Sequence, residues 1–439
     1  MINRPICLLT VDVEALPMRA SDSHVDKLIY GRTDNNEWGI GRMMDIADSH
    51  NIKMTFFLDF AEVELYGDRI IETGKYIASR GHDLQIHCHY KFLEEKVRKH
   101  FPNAGRSYYT WYEDEEISGY IVDYCLEQYY KCTKKTPVIF RGGEYRFEKA
   151  ILEKLKEKGV TADSSYNCVR PLKKPIHKQF VFENGLIELP VGIIPQQGDV
   201  PLKPLNFNEA YLYPIREHDL EDCLGKYENL FLSFYNYYGN DALATMIMHS
   251  WSFCYEKKRF EKTGFFDKSN PYAAELFDRF LAYFKRSIDF ITVSQAVKTE
   301  TIDFKNIVNF DTVFSLPEQR ESKIMLEQME SFIRAKAAGR KIVIWGKGWI
   351  ESRIMRVREL SLLLDVEFYI SRDSANLKSF RGKPVKTFEE SGISPDKYYV
   401  FLIANTCFPE IRDTLRENGF KEYTDYYDIA QILPDLIKD

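Results

Sequence analysis

The chain has 439 residues, 44% of them hydrophobic and 29% charged, with a net charge of -6. Two domains are the expectation for that length, and the composition is that of an ordinary globular protein. The negative balance excludes a general attraction to nucleic acid or to an anionic membrane, so partners have to be argued from sites. In chain order, the first apolar run, Ile6 to Val13, is broken by Asp12 and followed by Glu14. It is too short for a signal-peptide core, and no later stretch is long enough for a transmembrane segment. The 8 cysteines show no CxxC spacing, which suits reduced thiols and a cytoplasmic location.

From about residue 5 to 300, short β-rich runs alternate with amphipathic helical stretches, the pattern of parallel strands joined by crossover helices. Strands are expected at Ile6 to Val13, Lys53 to Leu58, Asp83 to His87, Val138 to Arg141, Val160 to Ser164, Ala242 to Met248 and Phe290 to Val293. Helical spacing marks Gly39 to Ser49, Asp68 to Ser79, Glu116 to Lys131, Phe147 to Lys156, Asp219 to Tyr238 and Tyr272 to Lys285. The fold class is therefore α/β, a distorted (β/α) barrel of about seven parallel strands. Phe180 to Pro190 reads as a hairpin on Asn184-Gly185, a pair suited to a type I′ turn, decorating the barrel mouth. Pro195 to Pro214 reads as a long, substrate-facing loop.

Residues 301–330 form a linker and helix, and 331–439 a second domain. There, Lys341 to Trp345, Asp365 to Ser371 and Tyr398 to Asn405 are three buried-strand runs of a small doubly wound, Rossmann-like unit. Gly346 and Gly348 form a GxG turn between a strand and a helix, a weak signal for a nucleotide or nucleotide-sugar. Glu351 replaces the third glycine, and no acidic residue closes the second strand. A structural domain, or one that assembles the chain into a homo-oligomer, fits these residues as well.

In a barrel of parallel strands, chemistry gathers at the C-terminal strand ends. The first strand ends in Asp12-Val13-Glu14, where alternation puts both carboxylates on one side. The third ends in His87-Cys88-His89 with two imidazoles on one side, the fourth in Arg141-Gly142-Gly143-Glu144, and a late strand in His249-Ser250. Two imidazoles and a carboxylate are donors that zinc prefers, with nickel and cobalt as alternatives. Each residue alone is more readily explained as a satisfied strand-end polar group; the set of six is what points to a site. His82 reads as packing at the start of its strand, and Asp163 fits structure and site equally. Tyr211, Tyr213 and Trp251 are placed as structural rather than as sugar-stacking residues.

These motifs resemble the polysaccharide deacetylase family with its NodB homology domain. The resemblance runs in order through Thr10-Val11-Asp12-Val13-Glu14, Lys53 to Phe57, Gly81 to His89, Phe140-Arg141-Gly142-Gly143, Ala162 to Ser165 and Met248-His249-Ser250. It implies Asp12 as general base, Glu14, His87 and His89 as ligands of a divalent metal, Arg141 as the residue orienting the base, and His249 as general acid. Two positions depart from the family. Val13 stands where its metal-binding Asp belongs, which moves that role to Glu14 and leaves Asp12 and Glu14 interchangeable. Lys91 stands where its second His belongs, which moves that role to His89. The function implied is removal of an N-acyl, acetyl, group from an amino sugar, nucleotide- or lipid-linked, in surface polysaccharide biosynthesis. The alternatives are a non-hydrolytic nucleotide-sugar-binding scaffold and an amidohydrolase of a non-sugar amide.

Overall fold

The structure is a computed structural model. It describes residues 4–20, 22–33, 36–104, 108–167, 176, 178–194, 203–210, 215–255, 268–299, 304, 306–314, 334–346, 365–371, 379–380, 383–402, 408–422 and 424–428. The chain divides into two compact units, Met1–Leu316 and Pro317–Asp439. Among the described residues, no helix is long and apolar enough to cross a membrane.

The first unit is built on strands β1 (Ile6–Val13), β2 (Thr55–Asp59), β3 (Asp83–Cys88), β4 (Ile139–Gly142), β5 (Ala162–Asp163), β6 (Phe180–Phe182), β7 (Ile187–Glu188), β8 (Leu243–His249), β9 (Asp289–Phe290) and β10 (Ile307–Val308). Its sheet order is β8-β1-β2-β3-β4-β5-β7-β6-β10, with β9 also pairing β1. From β8 to β7 every pairing is parallel, and the sheet curls into the expected distorted barrel, but its seventh parallel strand is β7; the expected strand at Phe290 is the short β9, which among the described residues pairs only with β1. Backbone bonds from Gly192 to Thr245 and from Ile247 to Leu205, both 2.8–2.9 Å, bring the far edge back to β8.

Helices α1 (Ile40–Ser49), α2 (Asp68–Ser79), α3 (Glu115–Thr133), α4 (Lys149–Glu157), α5 (Leu220–Tyr238) and α6 (Pro271–Phe284) cover the outside. The β1 residues Cys7, Leu9, Val11 and Val13 join Phe56 and Leu58 of β2 and Ile86 and Cys88 of β3 in the core beneath these helices. The alternate residues turn inward, as a pleated strand requires. Leu8, Phe57, Ile139, Ala162, Leu189 and Leu243 form a separate apolar cluster there. Further along the same strands, each inward position becomes polar: Thr10, Asp12 and Glu14; Asp59; His87 and His89; Arg141; His249. The apolar plug thus leaves the polar ends at one mouth.

Three expectations are corrected. The hairpin at Phe180–Glu188 does not decorate the mouth, because β7 pairs with β5 and continues the main sheet. Its turn is not type I′, which needs positive φ at both central residues; Gly185 has φ +81 and Asn184 is not in that region. Asn184 instead accepts a bond from the Leu186 N–H at 2.9 Å. Residues 307–314, read as linker, pack with the first unit, where β10 pairs β6 and Phe310 stacks on Phe182 at 4.5 Å. Residues 315–330 of the expected linker and helix lie outside the described residues, as do Tyr211 and Tyr213.

The second unit carries β11 (Lys341–Trp345), β12 (Val366–Ile370), β13 (Ser379–Phe380), β14 (Lys383–Lys386), β15 (Tyr398–Leu402) and β16 (Tyr426–Asp428) in the order β13-β14-β12-β11-β15-β16. All neighbours but β13 and β14 are parallel. The strand order reverses between β11 and β15, as in a doubly wound sheet. Gly346, at the end of β11, has φ +114, a conformation that favours glycine. Gly348 lies outside the described residues.

Candidate metal and catalytic centre

Register explains why distant residues meet. Asp12 lies opposite His249 on β8, and Asp59 lies opposite His87 on β3. His87 in turn lies opposite Arg141 on β4. Five neighbouring strands therefore deliver these side chains to one end of the curl.

Glu14 Oε1 lies 2.8 Å from His87 Nε2 and 3.9 Å from His89 Nε2. Donor atoms of Glu14, His87 and His89 all fall within 4.8 Å of one another, as do those of Asp12, Glu14 and His249. Each of the two imidazoles is held from behind: the Arg141 carbonyl is 2.8 Å from His87 Nδ1, and an Asp59 carboxylate oxygen is 2.8 Å from His89 Nδ1. With both Nδ1 atoms engaged, both Nε2 atoms face Glu14. Two imidazole nitrogens and a carboxylate oxygen, with Asp12 and His249 gathered about the same Glu14, are donors that fit a divalent metal.

The electrostatics agree. Burial alone would raise the Glu14 pKa, but the neighbouring imidazoles of His89 and His87 outweigh it and hold the group below the usual carboxylate range. For His87, burial opposes charge, yet its bond to Glu14 and the carboxylates of Asp12, Glu14 and Asp59 push it up to about 9.

Asp12 and Arg141 form a buried pair at 2.7 Å. The guanidinium is fixed on every side. It donates to Thr10 Oγ1 at 3.1 Å, to Ser164 Oγ at 3.0 Å and to the Ser164 carbonyl at 3.2 Å, and it lies 3.9 Å over the Phe57 ring. Asp163 joins this support through Ser165, whose hydroxyl donates to Asp163 at 2.8 Å and accepts from the Gly142 N–H at 2.8 Å.

His249 is half-buried and stacks on Trp251 with ring centroids 4.8 Å apart. Trp251 is itself buried, so it holds the histidine rather than offering a face to a sugar. Burial lowers the His249 pKa against the pull of Glu14 and Asp12. His82 is buried outside this group, edge-on to Phe56 at 5.5 Å.

All six residues read from the sequence, Asp12, Glu14, His87, His89, Arg141 and His249, meet here. Sequence reading missed Asp59 and Glu62. Glu62 accepts from the Ala15 N–H at 2.6 Å, just after Glu14. Inward alternation from Thr55 through Phe57 to Asp59 was the available signal. It also missed Tyr145, which with Glu144 takes φ +55. Burial, and then the Asp12 carboxylate, push the Tyr145 phenol up, so it stays protonated beside the site.

No protein-family model and no curated protein matches the sequence. Among solved structures, the chain is similar to a protein of Mycobacterium smegmatis assigned to the polysaccharide deacetylases, at 17% identity over 68% of this chain and 91% of the other, with a TM-score of 0.43. It is also similar to the catalytic domain of a peptidoglycan N-acetylglucosamine deacetylase from Eubacterium rectale, at 11% identity over 70% and 94% of the two chains and a TM-score of 0.34. A CE4 family pseudoenzyme from Bacillus anthracis is similar at 10% identity over 68% and 67% of the two chains, with a TM-score of 0.36.

Proposed function

We propose that the chain is a metal-dependent hydrolase that removes an N-acyl group, acetyl by resemblance, from an amino sugar in glycan biosynthesis. The convergence of Glu14, His87 and His89 on one point, beside an Asp12 held by a buried guanidinium, carries this reading. The donor set suits zinc, and nickel or cobalt accept the same ligands. Such an ion, when bound, lowers the pKa of a water and polarises an amide carbonyl. Asp12 takes the proton from the attacking water, and Arg141 keeps its carboxylate aimed. The proton that Asp12 takes from the water passes by way of His249, whose ring nitrogen lies within 4.8 Å of the Asp12 carboxylate, to the leaving amine.

For the second unit, a nucleotide or nucleotide-sugar at the Gly346 turn is the matching proposal. Its support is the strand-order reversal beside β11 and the positive φ of Gly346 at the end of that strand.

Acetate release from N-acetylated amino sugars, free, nucleotide-linked and lipid-linked, tests the hydrolase in zinc-loaded and metal-stripped protein. Zinc-dependent release from a sugar amide supports it. Release from non-sugar amides alone would assign a different substrate class, and tight nucleotide-sugar binding without turnover would make the chain a scaffold.

A further inference from the structure

We infer that Asp59 is a positioning residue that fixes the tautomer and aim of His89 toward the cation; this rests on the metal reading above. Strand β2, which Asp59 closes, lies between β1 and β3, the two strands that bring Glu14 and the histidines. The Asp59 side chain is fully buried. One oxygen faces His89 Nδ1 at 2.8 Å, while the other accepts from the N–H groups of Ala61 at 3.0 Å and His89 at 3.3 Å. With both oxygens committed, the carboxylate cannot turn away.

A carboxylate only accepts, so His89 Nδ1 carries the hydrogen and Nε2 presents its lone pair toward Glu14. His87 is aimed the same way, but by the neutral carbonyl of Arg141. Only His89 has a carboxylate behind it, an arrangement that raises the donor strength of a ligating imidazole. A capping role would explain the bond to Ala61 but not the second oxygen on the imidazole. Glu62, three residues on, bonds the Ala15 N–H, so the turn after β2 ties down both ligand-bearing neighbours.

Zinc titration by calorimetry, paired with 15N NMR of the histidine rings in metal-free protein, tests the assignment on wild type, Asp59→Asn and Asp59→Ala. Asparagine keeps the shape and the acceptor for Ala61 and removes the charge, so it decides the matter even where alanine unfolds the turn. The expected result is Nδ1-protonated His89 in wild type and a rise in its Nε2-protonated form in Asp59→Asn. Zinc affinity should fall about 10- to 100-fold in that variant. An Asp59→Asn protein with unchanged zinc affinity and unchanged ring shifts overturns the assignment while leaving the metal site standing. A wild type that takes up no zinc, nickel or cobalt overturns both.

Discussion

Gly143 packs flat against His89: a Cβ placed on the glycine would lie 2.5 Å from the imidazole Cγ and Cδ2. No ordinary contact is that short, and the Cys88 carbonyl lies only 2.8 Å away on the same side. Gly143→Ala therefore has to push the ring off its line to Glu14. It should weaken zinc binding at least about 10-fold, the scale on which displaced supports of ligands act. Gly119→Ala, whose new methyl meets nothing closer than 3.6 Å, should leave zinc titrations unchanged.

The Asp12–Arg141 pair is fully enclosed, so removing one partner strands a buried charge. Arg141→Met should cost about 3–5 kcal/mol of stability, read as a drop in denaturant midpoint. Asp12→Asn combined with Arg141→Met should cost less than the two single changes added together. Additive losses would show that the pair is not coupled.

Asp163 and Glu188 lie side by side on β5 and β7 and are both fully buried. Burial, and then the adjacent Asp163, raise the Glu188 pKa well above its usual value, while burial raises Asp163 to about 6. The folded pair retains a proton that the unfolded chain releases. Its contribution is complete below the unfolded carboxyl range and is lost as pH rises through the folded values. Stability should decline with pH above about 4.5, by at most about 1.4 kcal/mol per unit for one proton. Glu188→Gln should flatten that decline in unfolding curves between pH 5 and 8 on the order of one proton's worth.

His82 behaves in the opposite sense. Its Nδ1 accepts from the Met54 N–H at 3.1 Å, a bond only the neutral ring can make, and burial lowers its pKa to about 4. The unfolded histidine takes up a proton near pH 6.5, where the folded one does not. Stability present above that pH is lost as pH falls toward 4. His82→Gln, which can still accept from Met54, should remove this acid sensitivity in thermal melts across that window.

The strand ends were readable because alternation needs no tertiary information: once β1 and β3 are strands, Asp12 with Glu14 and His87 with His89 share a side. Asp59 escaped notice because a single acid after Thr55-Phe56-Phe57-Leu58 looks like a helix cap, which it also is. Its second contact depends on the register of β2 with β3. Placement of the hairpin failed for a related reason, since Asn-Gly signals a turn locally but not which sheet its arms will join. The Asn184 side chain bonded its own loop and made the left-handed conformation unnecessary there. Trp251, read as structural, is buried in the fold, where it stacks on His249.

Zinc titration of wild type, Asp12→Asn and Glu14→Ala, followed by metal analysis of each protein, tests the central claim most directly. The account predicts one tightly held ion in wild type and in Asp12→Asn, and at least about 10-fold weaker binding in Glu14→Ala, on the scale of a lost ligand or its support. A wild type that binds no ion, or an ion kept by Glu14→Ala and lost by Asp12→Asn, would contradict it.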